Sequence, residues 1–424
     1  MAYRAPLAEM MFLLRDVLGA ARLAETDRFS EAAPDTIEAV LGEAARIAEE
    51  VIAPTRRAGD LHPARLENGV VRARPRFADA NRPQAEGGWI GVAADPEHGG
   101  MGLPGTVNAC VNEMLCGANL ALSICPLLSS GQIEALEHHA DPALRDVYLP
   151  KLVSGTWTGT MNLTEPQAGS DVGALRARAV PKGDGTYAIS GQKIYISWGD
   201  HDMAENVCHL VLARLPDAPE GTRGISLFIV PKRLPDAEGR AGVANSLRPV
   251  SLEHKLGLHG SPTCVMEYED ATGWLVGGPN RGMAAMFTMM NNARLGVGIQ
   301  GIGVAEAALQ AARAFAAERR QGRTPEGAEP TILGHANVRR TLGTMAAETA
   351  AARAIALDCA LSIDMETATG DAGWAARAAF LTPIAKAYGT DTGCMVADRA
   401  IQVHGGMGYV EETGVAQYLR DVRV

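Results

Sequence analysis

The first part of the chain alternates apolar and polar residues with a helical period. After Asp35-Thr36-Ile37-Glu38, which matches an Asp-x-x-Glu capping pattern, apolar side chains recur every three or four residues. They stand at positions 37, 40, 41, 44, 47, 48 and 51. The stretch from Asn108 to Ala140 is rich in Ala and Leu and has little turn chemistry. The pattern therefore predicts that the first 150 residues are mainly helical and include an amphipathic helix.

The apolar pattern changes to one typical of strands in the middle of the chain. Residues 207–215 and 224–231 are rich in Val, Ile, Leu and Phe, and a polar loop separates them. Apolar residues also alternate on both sides of Ser190-Gly191, which predicts a hairpin with a tight turn there. The alternating residues are Tyr187, Ile189, Ile194 and Ile196. A β-domain is therefore predicted between residues 157 and 276.

Helical periodicity returns after this region, through residue 320 and again over 332–363. The order of helices, strands and helices predicts an α+β fold in four segments. They are an N-terminal arm (1–33), an N-terminal helical domain (34–156), a middle antiparallel β-domain (157–276) and a C-terminal helical bundle (277–424). A Rossmann sheet is disfavoured because strands and helices do not alternate, and because the glycine-rich loops at 97–102 and 404–408 do not join a strand to a helix.

Composition narrows the class of protein. The 424 residues are 47% hydrophobic and 21% charged, with a formal net charge of −10 and no basic block, which argues against nucleic-acid binding. The seven cysteines are scattered without C-x-x-C spacing, so we expect reduced thiols, no metal site and a cytoplasmic protein. The apolar run Met10–Leu14 is too short for a signal peptide. The sequence also contains no stretch of eighteen consecutive apolar residues, so no membrane-spanning helix is predicted.

Two motifs in the middle of the chain carry the candidate chemistry. The first, residues 161–171, reads MNLTEPQAGSD and gathers small hydroxyls, a proline and a glycine into a turn-rich run. The second, residues 191–199, reads GQKIYISWG and places Tyr195 close to Ser197. Hydroxyls and backbone N–H groups bond the edge of a planar heterocycle, and an aromatic ring stacks on its face. These are the features that a flavin site needs.

Both motifs resemble the signatures of the acyl-CoA dehydrogenase family, which read Thr-Glu-Pro-x-Ala-Gly-Ser-Asp and Gly-x-Lys-x-x-Ile-(Ser/Thr). The resemblance implies FAD as the cofactor, with Thr164 and Ser197 bonding the flavin ring edge. Tyr195 stands where the family usually has Trp and is expected to cover one ring face. The first motif would contribute further cofactor contacts and, through its serine, a place along the acyl-CoA path. The residues concerned are Met161, Leu163, Gly169 and Ser170.

The resemblance extends to the C-terminal domain. Two segments, Glu318–Arg323 and Gln402–Tyr409, match stretches that bind FAD across a subunit interface in the family, so it implies a homodimer or homotetramer. Arginine and paired glycines suit pyrophosphate because they present N–H donors to it. The residues implied are Arg319, Gln321, Gln402, Gly405 and Gly406. Asn291 and Arg294 match positions near the CoA moiety of the substrate.

The family reaction removes the α-proton of an acyl-CoA thioester and passes the β-hydride to flavin N5. The usual base is a Glu shortly after an Arg-Asp-x-(Lys/Arg) stretch, which here is Arg420–Val424. We therefore expect the base beyond Val424, no catalytic residue among the 424, an incomplete C-terminal bundle and little dehydrogenation by the chain as given. The position that carries the base in some relatives holds Ala293.

Several readings remain open at this stage. The N-terminal arm and the segment Glu253–Cys264 resemble the large bacterial branch that includes 3-methylthiopropionyl-CoA dehydrogenases, which favours a short or methylthio acyl group. Electron-transferring flavoprotein is the acceptor that the family implies. The alternatives are a catalytically silent acyl-CoA or flavin-binding protein, a gene fragment, and a flavoenzyme similar to nitroalkane oxidases, in which Asp is the base.

Overall fold

The computed structural model describes residues 2–73, 75–323 and 331–424. Helical segments precede and follow a central sheet, which confirms the predicted α+β order. The α-helices are α1 (Leu7–Phe12), α2 (Pro34–Ile47), α3 (Arg56–Leu61), α4 (Pro75–Glu86), α5 (Gly105–His139), α6 (Pro142–Val153), α7 (Gly282–Glu318), α8 (Ala336–Thr369), α9 (Ala372–His404) and α10 (Ala416–Val422).

The strands of the middle region close into a small barrel. They are β3 (Trp157–Asn162), β4 (Arg178–Pro181), β5 (Tyr187–Ser197), β6 (Asn206–Arg214), β7 (Ile225–Pro231), β10 (Leu247–Leu252) and β11 (Thr263–Val276). Two further short strands of this region, β8 (Arg233–Pro235) and β9 (Ala241–Ala244), form a separate two-stranded sheet. Hydrogen bonds run in the order β11, β5, β4, β6 and β7, and β7 returns to β11. Strand β3 lies outside this ring and pairs with β6 in parallel, whereas most other pairs are antiparallel.

The predicted hairpin at Ser190-Gly191 is wrong. Residues 187–197 form one continuous strand, whose first half pairs with β4 and whose full length pairs with β11. Gly191 adopts φ +142°, a conformation open to glycine, and a Cβ there would lie 3.0 Å from Ala177. The glycine therefore allows close approach of two backbones inside a strand rather than a turn.

A short hairpin from the N-terminal region packs against the barrel as a separate two-stranded sheet. Strands β1 (Arg65–Glu67) and β2 (Val70–Arg72) flank an Asn68-Gly69 turn in which both residues have positive φ, as a type I′ turn requires. Val71 is fully buried in the apolar core of the barrel, and its backbone N–H donates to Asp200 at 2.9 Å. The mainly helical N-terminal region thus contributes a side chain to the β-domain.

The amphipathic helix is confirmed as α2, whose apolar face is buried at Ile37, Leu41, Ala44 and Ile47. The predicted capping box is wrong, because the helix begins at Pro34 and its N-cap residue, Ala33, makes no side-chain cap bond. Proline suits the first helical turn, where its missing N–H would have no partner.

Helices α7 and α9 approach each other through glycines. A Cβ on Gly298 would lie 2.6 Å from Ala385 O, and one on Gly301 would lie 2.3 Å from Gly389 O. Either contact would force the helices apart. Helices α5 and α7 are long and apolar enough to cross a membrane, but 89% and 83% of their most apolar windows are buried, as is typical of core helices.

A buried arginine fastens the N-terminal arm to the helical core. Arg353 lies 2.7 Å from Glu113 and 2.8 Å from Glu306, both buried, and 2.7 Å from Glu9 on α1. Burial raises the pKa of Glu113, and the charge of Arg353 opposes this. The Tyr3 hydroxyl is buried beside the same carboxyl groups and has no hydrogen-bond partner among the described residues. One guanidinium thus contacts three carboxyl groups from three distant parts of the chain.

We expect Arg353→Met to lower the free energy of unfolding by on the order of 3–5 kcal/mol, because two buried carboxylates lose their counter-charge. Urea unfolding at pH 7 measures it. Arg377→Met, which breaks the half-exposed pair with Asp358, is the matched control and should cost under about 1 kcal/mol. Folding raises the pKa of Glu113, so this carboxylate becomes protonated and uncharged as the pH falls. The difference in free energy of unfolding between the parent and Arg353→Met should therefore shrink at lower pH and grow at higher pH. Equal losses in both variants would contradict the assignment.

Candidate functional site

The fold brings the two motifs of the sequence together at the edge of the barrel. The first motif begins with the last two residues of β3 and continues into the loop after it, and the second contains the end of β5. Ile194 N donates to Thr164 O at 2.9 Å, and Thr160 Oγ1 donates to Ser197 O at 2.7 Å. Thr164 and Ser197 are therefore held close to each other, and both are partly exposed. Neither hydroxyl makes a hydrogen bond to another described residue.

A buried ion pair joins the motifs beneath this edge. Lys193 Nζ lies 2.8 Å from Glu165 Oε1 and donates to Leu163 O at 3.0 Å, and the lysine side chain is wholly buried. Glu165 also accepts the backbone N–H groups of Arg176 (2.6 Å) and Ala177 (3.1 Å). The pair therefore fixes the turn of the first motif to the strand of the second. Both residues lie within the two motifs, but no sequence pattern indicated a role for either of them.

The pKa shifts of this pair indicate that both groups are ionised at neutral pH. Burial lowers the pKa of Lys193 to about 8, and the charge of Glu165 opposes this. Burial acts to raise the pKa of Glu165, but Lys193 and the backbone donors outweigh it and hold the pKa below its usual value. A buried pair of this kind is strongly destabilised by removal of one partner, because the other charge stays in a medium of low polarity.

Tyr195 has an unusual backbone that turns its ring outward. On β5, Ile194 and Tyr195 together oppose a single residue of β11, which is a β-bulge. Tyr195 adopts φ +61°, which costs a non-glycine residue about 1–2 kcal/mol. Its side chain is 62% exposed and lies on the same side of the strand as Ser197, because buried Ile196 stands between them. The bulge thus places an exposed aromatic ring next to two free hydroxyls.

These features fit the flavin ring of FAD. A planar heterocycle needs hydrogen-bonding groups at its edge and an aromatic or apolar surface on its face, and the edge formed by Thr164, Ser197 and Tyr195 offers both. Glu165 and Ala168 exchange two backbone bonds of 3.0 Å, which fold the first motif into a tight turn. The other residues predicted at this edge are partly exposed or exposed; they are Met161, Leu163, Gly169 and Ser170.

The remaining predicted cofactor residues form a second group on the helical domain. Arg319 ends α7, Gln321 follows it, and both side chains are exposed. Gln402, Gly405 and Gly406 lie exposed at the end of α9. Phe315 of α7 stacks on His404 of α9 with ring centroids 4.3 Å apart, which brings the two segments together. Gly405 has φ +59° and ψ −137°, a conformation that favours glycine.

Of the two residues predicted near the CoA moiety, the structure describes the side chain of Arg294 alone. Arg294 is exposed on α7, lies 5.8 Å above the ring of Phe287, and lines a cavity of about 740 Å³ between α5, α7, α8 and α9. The lining of this cavity includes none of the residues predicted to bind FAD. The side chain of Asn291 lies outside the part of the chain that the structure describes.

Arg420 and Asp421, which are adjacent in sequence, connect α10 to other regions of the fold. Arg420 lies 2.6 Å from Asp60, and Asp421 accepts the N–H of Leu258 at 2.7 Å. Arg420 also lies 2.7 Å from Glu411, whose carboxylate is thereby engaged in an ion pair. Among the described residues, no cluster of three histidines, cysteines or carboxylates is arranged to hold a metal.

We expect Lys193→Met to destabilise the protein by on the order of 3 kcal/mol and to release most of its flavin, since Glu165 keeps a buried charge without a partner. Urea unfolding and the ratio of flavin to protein absorbance measure these effects. The double variant Glu165→Gln/Lys193→Met removes that charge and should recover part of the stability. Lys182→Met, which loses an exposed bond to Thr272, is the control, and a loss as large as that of Lys193→Met would contradict the assignment.

Comparison with known proteins identifies the family of this chain. Models of the acyl-CoA dehydrogenase N-terminal, middle and C-terminal domains match residues 34–156, 160–271 and 280–424. The 3-methylmercaptopropionyl-CoA dehydrogenase of Ruegeria pomeroyi is 45% identical over the whole chain, which spans 73% of that protein. The broad-specificity linear acyl-CoA dehydrogenase FadE5 of Mycobacterium tuberculosis is 33% identical, again over the whole chain and 72% of its own length.

Solved structures show the same relationship. The structure of the glutaryl-coenzyme A dehydrogenase glutaryl-CoA complex matches with a TM-score of 0.75 and 26% identity, and the match covers 91% of this chain and 89% of that one. The sequence motifs, the order of domains and these relatives agree with one another. The chain therefore belongs to the acyl-CoA dehydrogenase family of FAD-dependent oxidoreductases.

Proposed function

We propose that this acyl-CoA dehydrogenase holds its flavin ring on the edge formed by Thr164, Tyr195 and Ser197. The observation that carries the proposal is the buried Glu165–Lys193 pair, which fixes both motifs beneath that edge. The hydroxyls of Thr164 and Ser197 bond the ring edge, and Tyr195 covers one ring face. FAD, when bound, supplies the acceptor for the hydride that leaves the β-carbon of the substrate.

The second group of cofactor residues serves the flavin of a neighbouring subunit. Arg319 and Gln321 bind one part of that FAD, while Gln402, Gly405 and Gly406 bind another. Two observations support this: the group lies on the helical domain, and Met407 and Tyr409 beside it are 49% and 91% exposed. A homodimer is the smallest assembly that pairs the two groups, and a homotetramer contains the same pairing.

The substrate is a short acyl-CoA or a methylthio acyl-CoA, and electron-transferring flavoprotein is the acceptor. The relative of 45% identity, named for 3-methylmercaptopropionyl-CoA, supports the methylthio group. Ser170 and Arg294 line the path of the CoA ester. The base is a carboxylate that follows Arg420–Val424 in the family pattern, since position 293 is Ala and Glu411 is paired with Arg420. A cytoplasmic location fits the family and the seven free thiols.

We predict that Tyr195→Ala binds FAD more weakly than the parent, by about tenfold for a loss of 1–1.5 kcal/mol of aromatic contact. The flavin that remains after gel filtration and a titration of the apoprotein with FAD measure the loss. Tyr187→Ala, which removes a ring from the opposite end of the same strand, is the control. Retention of the parent's flavin content by Tyr195→Ala would show that the ring does not cover the flavin.

Thr164→Val should keep the flavin and change its midpoint potential. One hydrogen bond at the ring edge is worth only about 1 kcal/mol to binding, but it acts directly on the redox-active ring. Spectroelectrochemical titration of the bound flavin measures the potential. Thr186→Val removes a hydroxyl from an exposed turn and serves as the control. A midpoint potential equal to that of the parent would show that the Thr164 hydroxyl does not contact the flavin ring.

We predict that the FAD-loaded protein binds 3-methylthiopropionyl-CoA and butyryl-CoA at least about tenfold more tightly than palmitoyl-CoA, since a pocket built for a short chain excludes a longer one. Anaerobic titration, with the flavin spectrum as the signal, measures the affinities. Bleaching of the flavin in the same titration reports dehydrogenation. Tighter binding of palmitoyl-CoA would contradict the short-chain assignment.

A further inference from the structure

Strand β3 presents alternate side chains to two different environments. One set faces the helical layer; it comprises Trp157, Gly159 and Met161. The other set faces the barrel; it comprises Thr158, Thr160 and Asn162. Each member of the second set makes a side-chain hydrogen bond to a residue outside β3. The barrel face of β3 is therefore a row of polar anchors that runs into the first motif, of which Asn162 is the second residue.

Asn162 is the last of these anchors and is completely buried. Its Oδ1 accepts a hydrogen bond of 2.9 Å from the hydroxyl of Tyr268 on β11, and its Nδ2 lies 3.2 Å from Nδ1 of His209 on β6. The rings of Tyr268 and His209 are themselves in edge contact, with centroids 5.9 Å apart. One amide is thus held from two other strands of the barrel, one residue before Leu163 and two before Thr164.

The orientation of this network follows from the state of His209. Burial lowers the pKa of His209 to about 3, so the ring is neutral at physiological pH. Nδ1 accepts from the Asn162 amide, which leaves the ring proton on Nε2. Nε2 is buried and has no hydrogen-bond partner in the described part of the chain. The hydrogen bonds therefore run in one direction, from Tyr268 to Asn162 to His209.

A barrel interior packed for stability alone has no need of these groups. A buried donor without a partner costs free energy, and apolar side chains of similar shape would avoid that cost. What the polar groups provide is a fixed position for the Asn162 amide and for the backbone that carries it. That backbone continues directly into Leu163 and Thr164 at the cofactor edge.

We propose that Asn162, held by Tyr268 and His209, is a positioning residue for the flavin edge of this enzyme. The inference rests on the proposed function, because it takes Thr164 as a contact to the ring. Asn162 does not reach the cofactor edge through its own side chain. It sets the position of the Thr164 hydroxyl by fixing the end of β3 in the barrel.

The test compares Asn162→Ala with Thr158→Val. Both substitutions remove buried hydrogen bonds from the same face of β3, but Thr158 lies about 13 Å before Asn162 along the strand, on the side away from Thr164. We expect both apoproteins to lose stability in urea unfolding. Only Asn162→Ala should bind FAD about tenfold more weakly and shift the absorption spectrum and midpoint potential of the bound flavin. Tyr268→Phe, which keeps the ring and loses one bond, should give an intermediate shift.

The outcomes separate this inference from the proposed function. One outcome is that Thr164→Val changes the flavin potential, whereas Asn162→Ala leaves the FAD affinity, spectrum and potential unchanged. In that case Asn162 has no positioning role, but the assignment of Thr164 to the flavin edge is supported. If neither variant affects the flavin, the flavin edge itself is misassigned. Equal flavin changes in Asn162→Ala and Thr158→Val would overturn the inference by assigning the effect to general loosening of the strand.

Discussion

The ion pair between Glu165 and Lys193 is the contact on which the geometry of the proposed cofactor edge depends. It joins a turn after β3 to a strand that is remote in sequence, and it does so where water is excluded. A well-packed apolar pair often stabilises a fold as much as a buried ion pair does. The ion pair also fixes the orientation of its two side chains relative to the backbone. The lysine donates to Leu163 O, and the carboxylate accepts two backbone N–H groups. Three segments of the chain are therefore held in one geometry: the turn after β3, residues 176–177 and β5.

Much of the architecture was evident in the sequence because it depends on local pattern. The apolar period of three to four residues located α2, α7 and α8, and runs of β-branched residues located β6 and β7. The two motifs were recognisable as motifs, and the structure places them side by side. Local pattern was sufficient here because each element buries a face that its own sequence defines.

The features that the sequence did not reveal depend on partners far away in the chain. Residues 187–197 show the same alternation as a hairpin, and only pairing with β11 makes them one strand. The bulge that exposes Tyr195 is set by that pairing as well. The break in α5 at Asn119 (φ −160°) is accompanied by a bond from Trp198 Nε1 to Ala121 O, a contact between domains that no local rule predicts. Glu165 and Lys193 were likewise visible only as members of motifs.

The cluster around Arg353 has a consequence for the order in which the protein is made. Glu9 leaves the ribosome early and Arg353 late, and at about 5–20 residues per second the delay is on the order of tens of seconds. During that interval Glu9 lacks its partner Arg353, and the apolar side of the arm, with Met10 and Leu14, lacks much of the core that buries it. Chaperones that bind nascent chains could therefore contact the apolar side of the arm before the core that buries it has formed.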